Sequence, residues 1–569
     1  MTVLFNDPAD FAEEQLEGFV ELYADRLRAV PGGVVAHRRA QPKVAVVIGG
    51  GSGHYQAFSG LVGPGFATGA VVGNIFTSPS AAQIYSVAKS ADQGCGLILS
   101  FGNYAGDVMN FGIAAERLRR EGIDTRIVVV TDDVASSPDA AQRRGIAGDF
   151  AVFKVMGAAA ERGDSLDDVQ RLGEAANQGT RSFGAAFTGC TMPGADEPLF
   201  TVPAGSISLG LGIHGEPGVR DMPRRPAKEL ATVLVKGILE ERPARDAARV
   251  AVILNGLGTT KYEELFVLWH AVAQLLHENL LTPVGVEVGE LVTSLDMGGC
   301  SLTLMWLDDE LEAAWQADAY TPAYRKLGVG TAGLRPADVG AETATEVRAP
   351  DSSDAARGLV PALCAAVDQV KAVLHENETE FGRIDAIAGD GDHGRGMVKG
   401  IDAAADSLAT TEGGVAWNLR RAGREWAARA GGTSGVLWGA GLEAAAGAIG
   451  DNRDSYDATA ALAAVDAFLA AIRELGGAGP GDKTMVDALI PFSDTLRTGV
   501  EAGHPLHLAW EEATAAAQTA AAGTTAMSPR KGRARPLAER SIGSPDAGAT
   551  SFAAVVAALT EHFLTKEPA

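Results

Sequence analysis

The chain has 569 residues, 46% of them apolar, more than one hydrophobic core usually organises, so roughly two to four domains are expected. A formal charge of −24 excludes a general nucleic-acid binder, whose backbone affinity needs clustered Lys and Arg, and the 70 glycines follow no collagen-like period. The first residues, Met1-Thr-Val-Leu-Phe-Asn-Asp7, do not read as a signal peptide, no apolar run reaches membrane-spanning length, and Cys95, Cys190, Cys300 and Cys364 form no C-x-x-C pair, so a cytoplasmic protein without a membrane partner is expected.

Short apolar runs alternate with amphipathic segments through residues 1–330, and strands are expected over Val44 to Ile48, Gly96 to Ser100, Arg126 to Thr131 and Arg249 to Leu254. Each run meets a glycine-rich or acidic turn, which implies an α/β region with ligands at the carboxyl ends of parallel strands. Two such turns, Gly49-Gly-Gly51-Ser52-Gly53-His54 and Asn255-Gly-Leu-Gly-Thr-Thr260, suggest two lobes with a break near residues 185–200. Asp107, in Asn103-Tyr-Ala-Gly-Asp107, follows a strand and can accept a proton from a substrate hydroxyl or cap a helix; His54 can assist it or cap. His214 lies in the tight turn Gly210-Leu-Gly212-Ile-His214-Gly-Glu216-Pro-Gly218, where glycines leave its approach uncrowded, and reads as a nucleophile or ligand, or as a turn histidine with a satisfied ring.

Residues 331–358 carry Pro, Thr, Ser and scattered charge without periodicity and read as a linker. Beyond it, residues 359–569 are Ala-rich and amphipathic, as in Tyr456 to Leu475 and Pro505 to Ala522, and an all-helical domain is expected. Within it, Asp385-Ala-Ile-Ala-Gly389-Asp390-Gly391-Asp392-His393-Gly394 places three carboxylates and an imidazole on one loop. Bending at its glycines wraps Asp385, Asp390 and Asp392 around one centre, suited to Mg²⁺ shared with substrate phosphates; a solvated acidic loop is the plain alternative. Three further joints, Gly431-Gly-Thr433-Ser434-Gly435, Gly481-Asp-Lys483-Thr484-Met485-Val-Asp487 and Gly543-Ser-Pro-Asp546-Ala547-Gly548-Ala-Thr-Ser551, offer hydroxyls and free amides to an anion, or serve as N-caps. The basic stretch Arg530-Lys-Gly-Arg533-Ala-Arg535 is either a nucleotide-phosphate contact or a solvated loop.

Six of these motifs occur in one order: Gly49 to His54, Asn103 to Asp107, Gly212 to Gly218, Gly389 to His393, Gly481 to Met485 and Arg530 to Arg533. In that order they resemble the dihydroxyacetone kinases, in the fused, single-chain, ATP-dependent form, and the resemblance spans about residues 10 to 560. It implies that Gly51, Ser52, Gly53, His54, Asp107 and His214 meet a short ketose. His214 would hold it as a hemiaminal, Asp107 and His54 would handle the hydroxyl to be phosphorylated, and glycerol, which has no carbonyl, would be refused. It further implies an eight-helix barrel with two Mg²⁺ on Asp385, Asp390 and Asp392. ATP would lie against Asp390, Gly391, Asp392, His393, Thr433, Ser434, Gly476, Thr484, Met485, Arg533, Asp546, Ala547 and Gly548. A homodimer would bring one chain's nucleotide domain to another's ketose domain.

The chain departs from the family pattern at Gly53-His54-Tyr55-Gln56, where Gly-His-Glu-Pro is usual, and at Gly102, where a lysine is usual. Losing a cation and a carboxylate, and gaining room at Gly102, makes a four-carbon ketose such as erythrulose a candidate beside dihydroxyacetone. Competing readings are a ketose-sensing regulator, a subunit of the phosphoenolpyruvate-dependent form, and a lyase that cyclises FAD. The retained acidic triad and the fusion of both halves favour the ATP-dependent kinase.

Overall fold

The computed structural model describes residues 2–564 apart from 39, 217, 245–246, 329–348, 409–411, 532–534 and 536–537, and describes no side chains in 561–564. The chain divides into two compact units, Met1–Pro336 and Ala337–Ala569. The first is α/β and the second is helical. Of the expected linker, residues 331–348 lie outside the described residues, and Asp354–Gly358 forms a short helix.

One sheet of the first unit holds β1 (Leu27–Val30), β2 (Gly33–Ala36), β3 (Ala45–Ser52), β4 (Gly69–Ile75), β5 (Leu97–Gly102) and β6 (Thr125–Val130), in the order β1-β2-β4-β3-β5-β6. Strands β4, β3, β5 and β6 run parallel, and β1 and β2 extend the edge antiparallel. β3 is buried on both faces, which its unbroken apolar run requires. Ala45 and Val47 face a core with Ile84, Phe111 and Leu118, whereas Val46 and Ile48 face one with Phe150, Phe153 and Leu172. Ser52 and Gly102 therefore emerge together at the carboxyl end of the parallel strands, where the sequence places its binding turns.

The second sheet holds β7 (Thr180–Ala186), β8 (Ser206–Leu209), β9 (Arg220–Pro223), β10 (Arg249–Gly256), β11 (Thr282–Gly289) and β12 (Gly299–Trp306), ordered β11-β10-β12-β7-β8-β9. Only β10 and β11 pair in parallel, so the expectation of parallel strands fails here. Apolar runs report burial and carry no information on strand direction. The turn at Asn255 is also a clamp rather than a ligand loop. Its amide nitrogen donates to the Val292 carbonyl (2.7 Å) and its oxygen accepts from the backbone N–H of Leu291 and Val292, while Thr260 Oγ1 donates to the Gly299 carbonyl at 2.7 Å.

In the second unit, helix Val360–Glu376 packs on His393–Ser407, and Val415–Ala430, Gly432–Ile449, Ala458–Gly476, Val486–Glu501, Leu506–Gly523 and Ala547–Leu564 follow, each on its predecessor. The last packs back on Val360–Glu376, so the order closes on itself. Trp426 and Trp438 stack at 5.3 Å among Phe468, Phe492 and Phe552, around an apolar cavity of about 220 Å³. The stretch Asp354–Glu376, two helices joined at Leu359, has 23 residues and, by length and composition alone, passes as long and apolar enough to cross a membrane, with a mean hydropathy of 1.2 in its most apolar window; charged residues break it, as they break every apolar run of the chain. Val370 and Leu374 carry it into the core of this unit, and Asp354, Arg357, Asp368 and Lys371 interrupt it.

Removing the Asn255 clamp leaves several buried backbone groups without partners, so Asn255→Ala is expected to cost about 3 kcal/mol of stability, read from urea melts of the purified protein.

Candidate functional site

The ketone-side candidates of the first unit come together although they are far apart in sequence. His54 follows β3, is fully buried, and places Nδ1 2.8 Å from the Thr293 carbonyl and Nε2 3.0 Å from His214 Nε2. Burial, with His214 alongside, pushes the His54 pKa down to about 3, so the ring is neutral at ordinary pH. Three rings hold His214 in place: His54 and Tyr104 meet it edge to face at 4.7 and 4.4 Å, and Phe76 at 5.4 Å. Ser294 Oγ donates to the Ile213 carbonyl at 2.6 Å and anchors the loop.

Asp107 lies in the first turn of helix Ala105–Arg120 and makes no cap bond; Tyr104 is the N-cap residue. Burial raises its pKa, and its Oδ1 has no hydrogen-bond partner. Ser52 Oγ and His214 Nδ1 are likewise buried and unpartnered. Buried polar atoms normally find partners, so the orphaned oxygens of Asp107 and Ser52 mark a place prepared for a polar ligand. Gly53 has φ +100°, a backbone state that favours glycine, and Gly51 leaves no space for a side chain because a Cβ there would lie 2.6 Å from the Thr77 nitrogen.

Glu216 was quoted with the histidine turn but given no role. Its Oε2 accepts from the His214 backbone N–H at 2.9 Å, and its Oε1 lies 3.7 Å from His214 Nδ1. Burial opposes its charge, yet the His214 contacts prevail and hold its pKa at about 2. Arg144 stands 3.8 Å from Glu216 and pairs with Asp133 at 2.8 Å.

In the second unit the acidic loop, the glycine joints and Lys531 of the basic stretch converge on a cavity of about 390 Å³. Asp385, Asp390 and Asp392 each offer a carboxylate oxygen within 4.8 Å of the others, an all-oxygen donor set that fits Mg²⁺. Asp390, Asp392, His393, Thr433, Ser434, Gly476, Thr484, Met485, Asp546, Ala547 and Gly548 line the cavity. Gly391 does not; its N–H donates to Asp385 Oδ2 at 2.8 Å and shapes the loop instead. Arg533 lies outside the described residues, while its neighbour Lys531 lines the cavity.

Both nitrogens of His393 are engaged, with Ser434 Oγ at 3.2 Å and Ser551 Oγ at 2.9 Å, so the ring ties together the starts of three helices. Asp546 caps the last of them, accepting from the Ala549 N–H at 2.7 Å, and burial pushes its pKa up to about 7. Lys483 and Asp487 belong to the Gly481 joint, and the structure gives each a role that the sequence does not assign. Asp487 accepts from the Gly481 and Thr484 N–H groups at 2.5 and 2.8 Å, and Lys483 donates to the Met527 and Ser541 carbonyls at 3.1 and 2.6 Å. Together they fasten the Gly481 joint to the loop that carries the basic stretch.

Residues 17–323 match the Dak1 domain family and residues 387–561 the DAK2 domain family. The chain is 54% identical to a D-erythrulose kinase of Mycolicibacterium smegmatis, over 97% of both chains. It is 50% identical to an L-erythrulose kinase of Pectobacterium atrosepticum, over 98% of this chain and 96% of that one. The chain belongs to the dihydroxyacetone kinase family. The crystal structure of the dihydroxyacetone kinase from C. freundii in complex with AMP-PNP and Mg²⁺ is similar with a TM-score of 0.58 at 30% identity, over 98% of this chain and 99% of that one.

One departure from the family pattern acts differently from its reading in the sequence. A Cβ at Gly102 would lie 3.1 Å from Tyr104 Cε2 and 3.2 Å from the Gly145 carbonyl. The space that the missing lysine side chain was expected to leave is therefore occupied at its base by the Tyr104 ring.

The neutral, buried His54 has a consequence for stability. Its pKa is about 3 in the fold against 6.5 for a free histidine, so between these values the unfolded chain binds a proton that the folded chain does not. Stability is accordingly lost as pH falls through this window. His54→Gln is expected to lose less stability than the parent between pH 7 and pH 4 in urea melts.

Proposed function

We propose that this chain is an ATP- and Mg²⁺-dependent kinase that phosphorylates a terminal hydroxyl of a short ketose, with erythrulose as the preferred substrate and dihydroxyacetone as a smaller one. The observation that carries the reading is His214, an imidazole clamped by three rings beside the unpartnered oxygen of Asp107. An imidazole lone pair can add to a ketone carbon and hold the sugar as a hemiaminal, which a polyol without a carbonyl cannot form. Asp107, whose pKa burial raises, is suited to take the proton of the reacting hydroxyl. His54, neutral and with an accepting Nε2, is suited to orient the same hydroxyl. The high identity to proteins named erythrulose kinases supports the four-carbon substrate.

ATP is assigned to the second unit's cavity, with Asp385, Asp390 and Asp392 holding two Mg²⁺ that shield polyphosphate charge when bound. The amides of Gly431 to Ser434, at a helix start without a side-chain cap, are free to meet phosphate oxygens. The closed order of its helices supports an eight-helix barrel. We further assign the protein to the cytoplasm and to a homodimer, in which each ketose site is served by a nucleotide unit. A sensor of ketoses would have no use for the acidic triad, and that favours the kinase over the regulatory reading.

Coupled ADP-release assays over dihydroxyacetone, both erythrulose enantiomers, glyceraldehyde and glycerol test the reaction and its substrate together. His214→Ala is expected to lower kcat/KM for the ketose by about a thousandfold with the KM for ATP unchanged, and wild-type turnover in that variant removes covalent capture. Asp390→Ala is expected to weaken ATP binding by about tenfold or more while ketose binding, read by calorimetry, stays as in the parent.

A further inference from the structure

The two nitrogens of His214 stand in unlike surroundings, and the difference decides which of them can meet a ketone. Nδ1 is wholly buried, with no hydrogen-bond partner and Glu216 Oε1 at 3.7 Å, so no carbonyl carbon reaches it. Nε2 faces His54 Nε2 at 3.0 Å. His54 Nδ1 lies 2.8 Å from the Thr293 carbonyl, an acceptor, so the His54 proton sits on Nδ1 and its Nε2 presents a lone pair. In the ligand-free arrangement His214 Nε2 must then donate that shared proton. A protonated nitrogen cannot attack, so capture requires the ring proton to reside on Nδ1 instead.

Resting on the ketose-capture reading, we propose that Glu216, braced by Arg144, is the positioning residue that draws the His214 proton to Nδ1 when a ketose displaces His54, and so frees Nε2 for the ketone. Its carboxylate is the group beside Nδ1, and Oε2 also accepts the His214 backbone N–H at 2.9 Å, which fixes ring and carboxylate on one loop. Arg144 is fixed in turn, since its Nε and Nη2 donate to Asp133 Oδ2 at 3.0 and 2.8 Å and Nη2 donates to the Gly210 carbonyl at 3.2 Å. A Cβ at Gly212 would lie 2.2 Å from Glu216 Oε2 and 2.6 Å from Arg144 Nη1, so the loop admits this pair only because residue 212 is glycine. The ionisable groups around the ring are His54, Tyr104, Glu216, Arg144 and Asp107.

When a ketose displaces the His54 hydrogen bond, an Nε2–C bond forms and the carbonyl π electrons pass to oxygen, which takes up a proton from solvent. The positive charge left on the ring is met by Glu216, and the Nδ1 proton passes by way of this part-exposed carboxylate to solvent, which returns the proton that the carbonyl oxygen took up, so the adduct is neutral. The role is the one an orienting carboxylate plays beside a catalytic histidine, set here against a carbonyl rather than an acyl group.

The test uses the full-length protein with [2-¹³C]-labelled dihydroxyacetone or erythrulose, following the bound C2 resonance, together with ¹⁵N NMR of the histidine tautomers and turnover. Glu216→Gln keeps the shape and removes the charge. With ketose present it is expected to leave more of the His214 proton on Nε2 than in the parent, shift bound C2 from the hemiaminal towards the ketone region, and lower kcat by about tenfold or more with the KM for ATP unchanged. Arg144→Lys keeps a charge but loses the fork to Asp133, and a smaller loss of the same sign is expected. A parent-like tautomer and hemiaminal fraction in both variants overturns the positioning role alone. A parent protein that forms no adduct with either ketose overturns the capture reading and this inference with it.

Discussion

Two imidazole nitrogens 3.0 Å apart share a single proton, and the first unit is organised around that constraint. The backbone carbonyl of Thr293 fixes the tautomer of His54, burial keeps it neutral, and these conditions together determine what His214 can offer. Beyond that shared proton and the Glu216 bond to its backbone N–H, aromatic rings hold His214 in place. Orphaned atoms on Asp107 and Ser52 cost stability in the ligand-free fold. A polyhydroxy ligand restores their partners, and that loss of stability is the counterpart of affinity.

The second unit solves a different electrostatic problem. Three carboxylates gathered within 4.8 Å repel one another, and the loop nonetheless holds its course because Gly391 donates into Asp385 and Asp487 staples the neighbouring joint. A hard cation turns the repulsion into coordination. The cavity wall draws on the starts of four helices, at His393, Gly432, Val486 and Ala547, so its shape depends on caps and turns as well as on side chains.

The strand cores were legible from their apolar runs, but β3 runs on from Ile48 to Ser52 and β5 from Ser100 to Gly102, because the glycines of the binding turns still pair in the ladder. The acidic loop and the helical unit were legible for similar reasons: three Asp among glycines, and alanine-rich periodicity without β-branched runs. What escaped has physical causes. Thr293 stands 239 residues from His54, and no local pattern links them. Asn255 sits in a turn as rich in glycine as the binding turns, yet its side chain is spent on backbone groups of its own sheet. Glu216 is two residues from His214 in a loop, where no helical or strand period assigns direction to a side chain. The room read at Gly102 failed because the occupant, Tyr104, belongs to the same motif and folds back over it.

His393 touches Ser434 on one side and Ser551 on the other, and Asp546 to Gly548 form part of the cavity wall. The wall of the cavity proposed for the nucleotide is thus stitched from segments more than 150 residues apart, counting the 158 between His393 and Ser551. On a ribosome, the earlier helices emerge with their half of the seam open, and the proposed site is incomplete until the final helix has been translated and docked. On that proposal, competence for ATP arrives last, at the moment the ring shuts.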